Sequence, residues 1–432
     1  MATMIQKLHL AAPYNIFYNT IPCVPQQDNT IFFTDLLCPS LGKLKTSLQI
    51  TFKVDIEWLM NQYDQKHLRS KPLTILYGEE NPELEKYVSD NLPNVKSHCV
   101  AVSDLHGSHR SKLAIFVYDD DSVRVVVSSA NLYQDHWEHF NHCFWVSPLC
   151  RMSECARDSP TGFKSDLILF LKQYKLPVLG TWIDYVKRAD FHDVRVFLVT
   201  SLPGCHPTER PWSLLQQMAI LLDNYCDVPD QKDWPVVIQA SCLGSYGEND
   251  RNWLESTLLV NLQSTAPFQI IYPSVANVEG GIFPRESVTG LRYLKAIHDK
   301  QKWLERYLWQ WKADKLGRSG VISNCKTLCR ISPCSTKVGW FLLTTANAAR
   351  GGWGQRKYDG IYVRNHEIGV LFIPRFFDED YFQIDDDSFQ VFPIMFDLPL
   401  TKYEECDEPW TMENEQQPTQ KCSYKLDFHE LP

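Results

Sequence analysis

Two distant segments of the 432-residue chain share one pattern of residues, and this repeat constrains the fold more than any other sequence feature. In the first segment, Lys112 precedes an apolar stretch that ends in Ser128–Asn131, with the sequence Ser-Ser-Ala-Asn. In the second, Lys326 precedes an apolar stretch that ends in Thr344–Asn347, with the sequence Thr-Thr-Ala-Asn. A tryptophan follows six positions after the asparagine in both segments. Such self-similarity predicts two homologous halves that pack as a pseudo-dimer within one chain.

Helix and strand patterns alternate along the chain, which predicts an α/β fold with sheets covered by helices. The expected domain boundary divides residues 1–190 from residues 191–432. We also expect Trp303, Leu304, Tyr307, Leu308 and Trp311 to form the inward face of one helix. The other predicted strands are 73–77, 194–199 and 236–240, and the predicted helices are 54–63, 82–92, 162–174, 182–189 and 212–225.

Charge and composition exclude several classes of protein. The formal net charge is −9, so any nucleic-acid contact must come from a local basic patch. No apolar run reaches the roughly 18 residues of a membrane span, and we expect no export signal and no membrane association. The 14 cysteines are expected to be reduced thiols of a nuclear or cytoplasmic protein. Neither a metal nor a cofactor is expected, because no complete ligand set is present. We expect a monomer.

The paired lysines and asparagines are the candidate functional residues. If the two halves pack about a pseudo-twofold axis, Lys112, Lys326, Asn131 and Asn347 meet at one central cleft. Ammonium groups neutralise phosphate oxygens and amide N–H groups donate hydrogen bonds to them, so this set suits a phosphate ligand. The alternative is that each lysine is exposed and each asparagine caps a helix. Their recurrence in both halves favours the phosphate site.

These features, together with further segments, resemble the tyrosyl-DNA phosphodiesterase family of the phospholipase D superfamily. This family cleaves topoisomerase-derived adducts from the 3′ ends of DNA. The resemblance implies two pseudo-symmetric phospholipase D-like lobes, each a mixed β-sheet flanked by α-helices. It covers almost the whole chain, and the supporting segments are 54–59, 159–167, 234–237, 244–247, 271–275, 367–372 and 396–399.

The sequence departs from the family at the catalytic positions. Each half of the family site carries His-x-Lys followed by Asn, but here the positions two before the lysines are Arg110 and Asn324. Arginine stays protonated and has no lone pair to attack phosphorus, and asparagine does not titrate near neutrality. Adjacent side chains on an extended strand face opposite sides, so the neighbours His109 and Cys325 would reach the cleft as surrogates only through a bulge or register slip.

The resemblance also implies roles for residues around the cleft. Ser241 and Ser245 match hydroxyl residues that contact the DNA backbone in the family. Glu367 matches a carboxylate behind the second half of the site, and His142 replaces a glutamine near the first half. We expect Glu367, His142 and His109 to lie behind the residues that face the cleft.

The sequence therefore predicts a degenerate site in which Arg110 adds a third positive group beside the two lysines. Such a pseudoenzyme binds a phosphate-containing ligand, such as the 3′ end of a single-stranded nucleic acid, or a protein partner. The alternative is an active phosphodiesterase that hydrolyses blocked 3′ DNA ends, such as 3′-phosphotyrosyl adducts, in DNA repair through an altered nucleophile. A third interpretation is a scaffold that has kept only the fold.

Overall fold

The computed structural model describes residues 2–416 except 103, 208–210, 228–231, 248–252, 289, 358–359 and 385–390. The amino-terminal part forms a mixed sheet in the order β2-β1-β8-β7-β6-β3-β4-β5. Its strands are β1 Ile16–Asn19, β2 Thr30–Ile31, β3 Leu44–Thr51, β4 Leu73–Tyr77, β5 Val95–Cys99, β6 Leu113–Tyr118, β7 Val123–Ser128 and β8 Cys143–Val146.

The carboxyl-terminal part forms a second mixed sheet in the order β13-β12-β11-β14-β15-β18-β9, and β19 pairs with β15 beside it. Strands β10, β17 and β16 form a small separate sheet. These strands are β9 Phe197–Ser201, β10 Gly204–His206, β11 Val236–Gln239, β12 Gln269–Ile271, β13 Leu308–Trp309, β14 Thr327–Ile331, β15 Lys337–Thr344, β16 Gln355–Lys357, β17 Gly360–Val363, β18 Glu367–Phe372 and β19 Phe382–Gln383.

The two large sheets have the same topology over seven strands. The order β1-β8-β7-β6-β3-β4-β5 in the first sheet corresponds to β9-β18-β15-β14-β11-β12-β13 in the second. In both sheets the last two pairings are parallel and the other four are antiparallel. The predicted α/β architecture with two sheet-containing lobes is confirmed. The boundary at residues 190 and 191 stays a prediction.

Helices cover the sheets, and five of them lie within two residues of the predicted ends (α2, α3, α5, α6 and α7). Their starts follow from local chemistry, since the side chains of Asp55 and Ser213 cap the first turns of α2 and α7. The helices are α1 Met4–Ala11, α2 Ile56–Asp64, α3 Pro82–Asn91, α4 Gln134–Glu138, α5 Phe163–Gln173, α6 Gly180–Arg188, α7 Leu214–Tyr225, α8 Val275–Glu279, α9 Lys295–His298 and α10 Arg350–Trp353.

Shorter turns complete the chain. The 3₁₀ turns are Phe33–Asp35, Pro39–Leu41, Pro177–Leu179, Arg285–Ser287, Lys302–Tyr307, Pro374–Phe377 and Met412–Gln416, and Leu254–Leu259 is a π-helix. Within the described ranges, no helix combines the length and apolar character needed to cross a membrane.

The predicted helix through Trp303 and Trp311 is wrong. The segment forms the 3₁₀ turn Lys302–Tyr307 and then the edge strand β13, in which Leu308 and Trp309 pair with β12. Trp311 is buried and donates its indole N–H to the Val321 carbonyl. Pairing at the sheet edge outweighs the helical spacing of the aromatic residues. A longer helix would leave backbone groups of β12 without the hydrogen bonds that β13 provides.

The two lobes meet along a seam in which each lysine-bearing segment pairs with the opposite lobe. Before Lys112, the Arg110 N–H donates to the His366 carbonyl at 2.8 Å, just ahead of β18. Before Lys326, the Asn324 N–H donates to the Asn141 carbonyl at 2.9 Å, just ahead of β8. One apolar cluster runs across both sheets. The seam therefore fixes the two lysine segments relative to each other.

Candidate functional site

A cavity of about 320 Å³ lies where the two lysine segments meet. Its lining includes five cationic side chains and one carboxylate, that of Glu79, although the whole chain has a net charge of −9. The lining residues are Phe52, Lys53, Glu79, Arg110, Lys112, Ser129, Asn131, Tyr133, His136, Ser241, Cys242, Gly290, Arg292, Asn324, Lys326, Thr345 and Asn347. A locally positive cavity of this kind attracts anions.

The two lysines occupy corresponding positions at the cavity floor. Each directly precedes a strand, β6 or β14, and each ammonium donates to the backbone carbonyl two residues earlier. Lys112 Nζ lies 3.1 Å from the Arg110 oxygen, and Lys326 Nζ lies 2.6 Å from the Asn324 oxygen. Burial lowers the pKa of Lys112 to about 7 and that of Lys326 to about 8. An anion between them would favour the protonated forms.

The two asparagines also correspond. Each follows the next strand by three residues. Each side-chain oxygen accepts hydrogen bonds from the backbone just after a strand two places away in the same sheet, β3 for Asn131 and β11 for Asn347. Asn131 Oδ1 accepts from the Lys53 N–H at 3.3 Å, and Asn347 Oδ1 accepts from the Ser241 and Cys242 N–H groups at 2.9 and 3.0 Å. Because the oxygens are occupied, the NH₂ ends are the groups that these amides can offer to a ligand.

Arg110 and Asn324 line the same cavity. The Arg110 guanidinium donates to Ser108 Oγ at 2.7 Å and lies 5.8 Å from the centre of the Phe52 ring. Asn324 Oδ1 accepts a hydrogen bond from Lys326. The geometry therefore brings together the sequence-predicted set of two lysines, two asparagines, Arg110 and Asn324.

One histidine lines the cavity that sequence reasoning did not single out. His136 lies on the short helix α4, and the Asn131 N–H donates to its Nδ1 at 3.0 Å. Its Nε2 lies 3.4 Å from Asn324 Nδ2, and its ring stacks on His142 with centres 4.6 Å apart. Because Nδ1 accepts a hydrogen bond, this nitrogen has no free lone pair for a ligand. Burial, with Lys326 and Lys112 nearby, holds the pKa of His136 well below its ordinary value.

No repeat signal marks His136, because the corresponding position in the second half is Gly352. A Cβ at Gly352 would come within 3.0 Å of Glu367 Oε1. The second half therefore has room for the carboxylate where the first half carries an imidazole.

Behind the cavity, His142 and Glu367 occupy corresponding positions in the two lobes. His142 Nδ1 lies 2.9 Å from Ser129 Oγ, and the Thr345 hydroxyl donates to Glu367 Oε2 at 2.6 Å. His109 is fully buried away from the cavity lining, with its ring nitrogens on the Thr51 carbonyl and the Tyr174 hydroxyl.

Of the two serines predicted to contact a nucleic acid, the structure brings one to the cavity and leaves the other outside it. Ser241 lines the cavity, whereas Ser245 is exposed and lies outside its lining. Ser241 follows β11, close to Asn347, while Ser245 lies four residues farther along the connecting loop. Only Ser241 is therefore placed to contact a ligand that occupies the cavity.

The duplicated sheet topology, with a lysine and an asparagine from each lobe at one cavity, defines a protein of the phospholipase D superfamily. The sequence profile of the tyrosyl-DNA phosphodiesterase family matches residues 15–404. The chain belongs to the tyrosyl-DNA phosphodiesterase family.

Similar proteins span most of the chain. Tyrosyl-DNA phosphodiesterase 1 of Drosophila melanogaster is 34% identical and covers 95% of this chain and 75% of its own length. A probable tyrosyl-DNA phosphodiesterase of Caenorhabditis elegans is 28% identical, with 84% of this chain and 81% of its own length covered. The crystal structure of the yeast tyrosyl-DNA phosphodiesterase superimposes with a TM-score of 0.74 at 18% identity, covering 92% of this chain and 99% of the yeast chain.

Proposed function

We propose that this protein binds the 3′ end of a single-stranded nucleic acid through its terminal phosphate and does not hydrolyse it. One observation carries this proposal: the side chains that precede the two cavity lysines by two positions are Arg110 and Asn324, not histidines. The family name of its relatives indicates a DNA phosphodiester as the kind of ligand.

Phosphodiester hydrolysis at this site needs a nucleophile and a group that moves a proton to and from the leaving oxygen. The Arg110 guanidinium has no lone pair, and the Asn324 amide does not titrate. The His136 Nδ1 lone pair accepts the Asn131 N–H, and Nε2 faces the Asn324 amide NH₂ at 3.4 Å, so neither ring nitrogen presents a free lone pair to a phosphorus atom. The lowered pKa of His136 also makes imidazolium, the proton-donating form, scarce at neutral pH.

The groups that remain are those that bind phosphate. Three cationic side chains (Arg110, Lys112 and Lys326) and the amide of Asn347 line one cavity. Charge-assisted hydrogen bonds to phosphate oxygens are among the stronger polar interactions in proteins. Ser241, which also lines the cavity, is expected to donate to a backbone phosphate of the strand. A protein that binds nucleic-acid ends is expected to act in the nucleus.

The test uses a labelled single-stranded oligonucleotide that ends in a 3′-phosphotyrosine. We expect it to bind at low salt and to remain intact with excess protein. Changing both Lys112 and Lys326 to alanine should weaken binding at least about tenfold, since two charge-assisted hydrogen bonds are lost. The control Lys43→Ala removes an exposed lysine just before β3, at the strand end away from the cavity, and should leave binding unchanged.

Each outcome separates the candidate functions. Absence of binding, or binding that ignores the lysine substitutions, contradicts the proposal and favours a scaffold that meets a protein partner elsewhere. Cleavage that disappears in the double lysine variant would establish the second candidate, an active phosphodiesterase with an altered nucleophile. The observation that favours this second candidate is the His136 imidazole in the cavity lining, so His136→Ala should then also abolish cleavage.

A further inference from the structure

We propose that Cys143 and Cys325 form an oxidisable modification site, at which a disulfide joins the two lobes directly behind the cavity that Lys112 and Lys326 line. Cys143 begins β8 of the amino-terminal lobe, and Cys325 lies between Asn324 and Lys326 of the carboxyl-terminal lobe. Their sulfur atoms lie 3.1 Å apart. This inference does not depend on phosphate binding by the cavity.

The backbone pairing at the seam explains why the two thiols meet. Asn141 and Ser323 form a parallel bridge, so the residues two positions farther along each chain lie opposite each other on one face. Neighbouring strands lie about 4.8 Å apart, which falls within the Cα separations that a disulfide allows. Formation of an S–S bond of about 2.05 Å therefore needs a movement of about 1 Å, without rearrangement of the lobes.

The surroundings distinguish this pair from the other cysteines. Among the described residues, all 13 cysteine side chains are free thiols, and the hydrogen-bonded thiol pair is Cys143 with Cys325. Both are buried, and the Cys325 sulfur also contacts the Asn141 carbonyl oxygen and the Met395 sulfur. Cys329, four residues farther along the chain, is equally buried and provides a matched control.

Hydrogen peroxide supplies the oxidising equivalents. One thiol, as its thiolate, attacks a peroxide oxygen, which breaks the O–O bond and gives a sulfenic acid and one water. The sulfur of the second thiol then attacks the sulfenic sulfur, the S–OH bond breaks, and the oxygen leaves with two protons as a second water. In sum, two thiols and one peroxide give one disulfide and two waters. Burial raises the pKa of Cys143, so we expect this oxidation to be slower than that of an exposed thiol.

The bond would restrain the cavity floor. Cys325 is covalently next to Lys326, so a link to β8 ties the segment that carries this ammonium to the opposite lobe. The link also closes a long loop of the unfolded chain, which favours the folded state. We expect the oxidised protein to unfold about 3–5 °C higher than the reduced protein.

The experiment treats the full chain, fully reduced and then freed of reductant, with hydrogen peroxide under native conditions. Remaining thiols are alkylated, the protein is digested without reduction, and linked peptides are identified by mass spectrometry. We expect a linked pair that contains Cys143 and Cys325 and disappears with dithiothreitol. Fragment ions must assign the link to Cys143, because Cys150 lies on the same tryptic peptide.

Variants connect the link to the change in melting temperature. The dithiothreitol-reversible increase should persist in Cys329→Ser and vanish in Cys143→Ser and in Cys325→Ser. Recovery of Cys143 and Cys325 only as separately alkylated or singly oxidised residues in the wild-type protein would overturn the proposal. This measurement needs no variant, so it decides the matter even if a serine substitution impairs folding.

Discussion

At the scale of single residues, the two side chains that precede the cavity lysines separate binding from hydrolysis. Arg110 and Asn324 are polar side chains that line the cavity, but they supply neither a nucleophile nor a general acid or base. The sequence alone was enough to identify both positions, because the lysines mark them in each half. It was not enough to identify His136, whose place in the lining depends on the short helix α4 and on a hydrogen bond from the Asn131 backbone.

Restoring both imidazoles should restore chemistry. We expect the double variant Arg110→His with Asn324→His to cleave a 3′-phosphotyrosyl oligonucleotide at least about 10³-fold faster than the wild type, because such groups act as a unit and losing one removes most of the rate. Each single variant should stay inactive for the same reason. Release of the tyrosine is followed on a denaturing gel, with Arg110→Gln plus Asn324→Gln as the control. A double variant that binds the oligonucleotide without cleaving it would show that these positions do not face the ester.

The two buried lysines should make anion binding depend on pH. Lysine is protonated below its pKa, so affinity should be highest below pH 7 and fall as pH rises through about 7 for Lys112 and about 8 for Lys326. Sulfate is the probe because it remains a dianion over this range. By linkage, we expect a decrease of about 10²–10³-fold in affinity between about pH 6 and pH 9, measured by titration calorimetry.

Replacement of one lysine provides the control for this pH dependence. Lys112→Arg keeps a permanent charge and should remove the decrease near pH 7 while leaving the decrease near pH 8. Sulfate affinity that stays constant from about pH 6 to pH 9 in the wild type would contradict lysine titration in the cavity.

At the scale of secondary-structure elements, local patterns were sufficient for segments that carry their own signals. Strand β4 has its predicted bounds, and helix α7 begins one residue after its capping serine, Ser213. The helix predicted for the segment that includes β13 was wrong because aromatic spacing of this kind fits several structures. Pairing with β12, which is distant in sequence, determines that the segment forms a strand. The lobe seam is likewise made by contacts between residues more than 180 positions apart, such as Asn141 and Ser323.

The hydroxyl of Thr345 joins two strands behind the cavity and should be important for stability. It donates to the buried Glu367 carboxylate at the start of β18 and accepts from the Ile368 N–H at 3.0 Å. Thr345→Val keeps the shape but leaves both groups short of a partner, and we expect a loss of about 2–3 kcal/mol in the free energy of unfolding. Urea denaturation measures the loss, and Thr345→Ser should recover most of it. Equal stability of the valine and serine variants would argue against this hydrogen bond.

At the scale of the whole molecule, two opposite charge distributions coexist. The chain carries a net charge of −9, while the cavity between the lobes is lined by five cations and one carboxylate. The overall field therefore opposes the approach of a nucleic acid, and binding must come from the few charges that it contacts. The sequence predicts the net charge and the cluster of Arg110, Lys112 and Lys326. It does not predict Lys53 and Arg292, whose place in the lining depends on the folded structure.

A small number of phosphate contacts should give a shallow dependence on salt. For single strands each neutralised phosphate contributes about −0.7 to the slope of log K against log salt concentration, so one terminal phosphate held by the three cavity cations gives about −0.7. Anisotropy titrations of a 3′-phosphorylated oligonucleotide between about 50 and 300 mM KCl measure this slope. Changing both Lys112 and Lys326 to alanine should bring the slope closer to zero, because Arg110 alone remains of the three cations that neutralise this phosphate. A steep slope that the double variant leaves unchanged would place the nucleic-acid contacts on another surface, whereas a reduced slope locates them at the junction of the lobes.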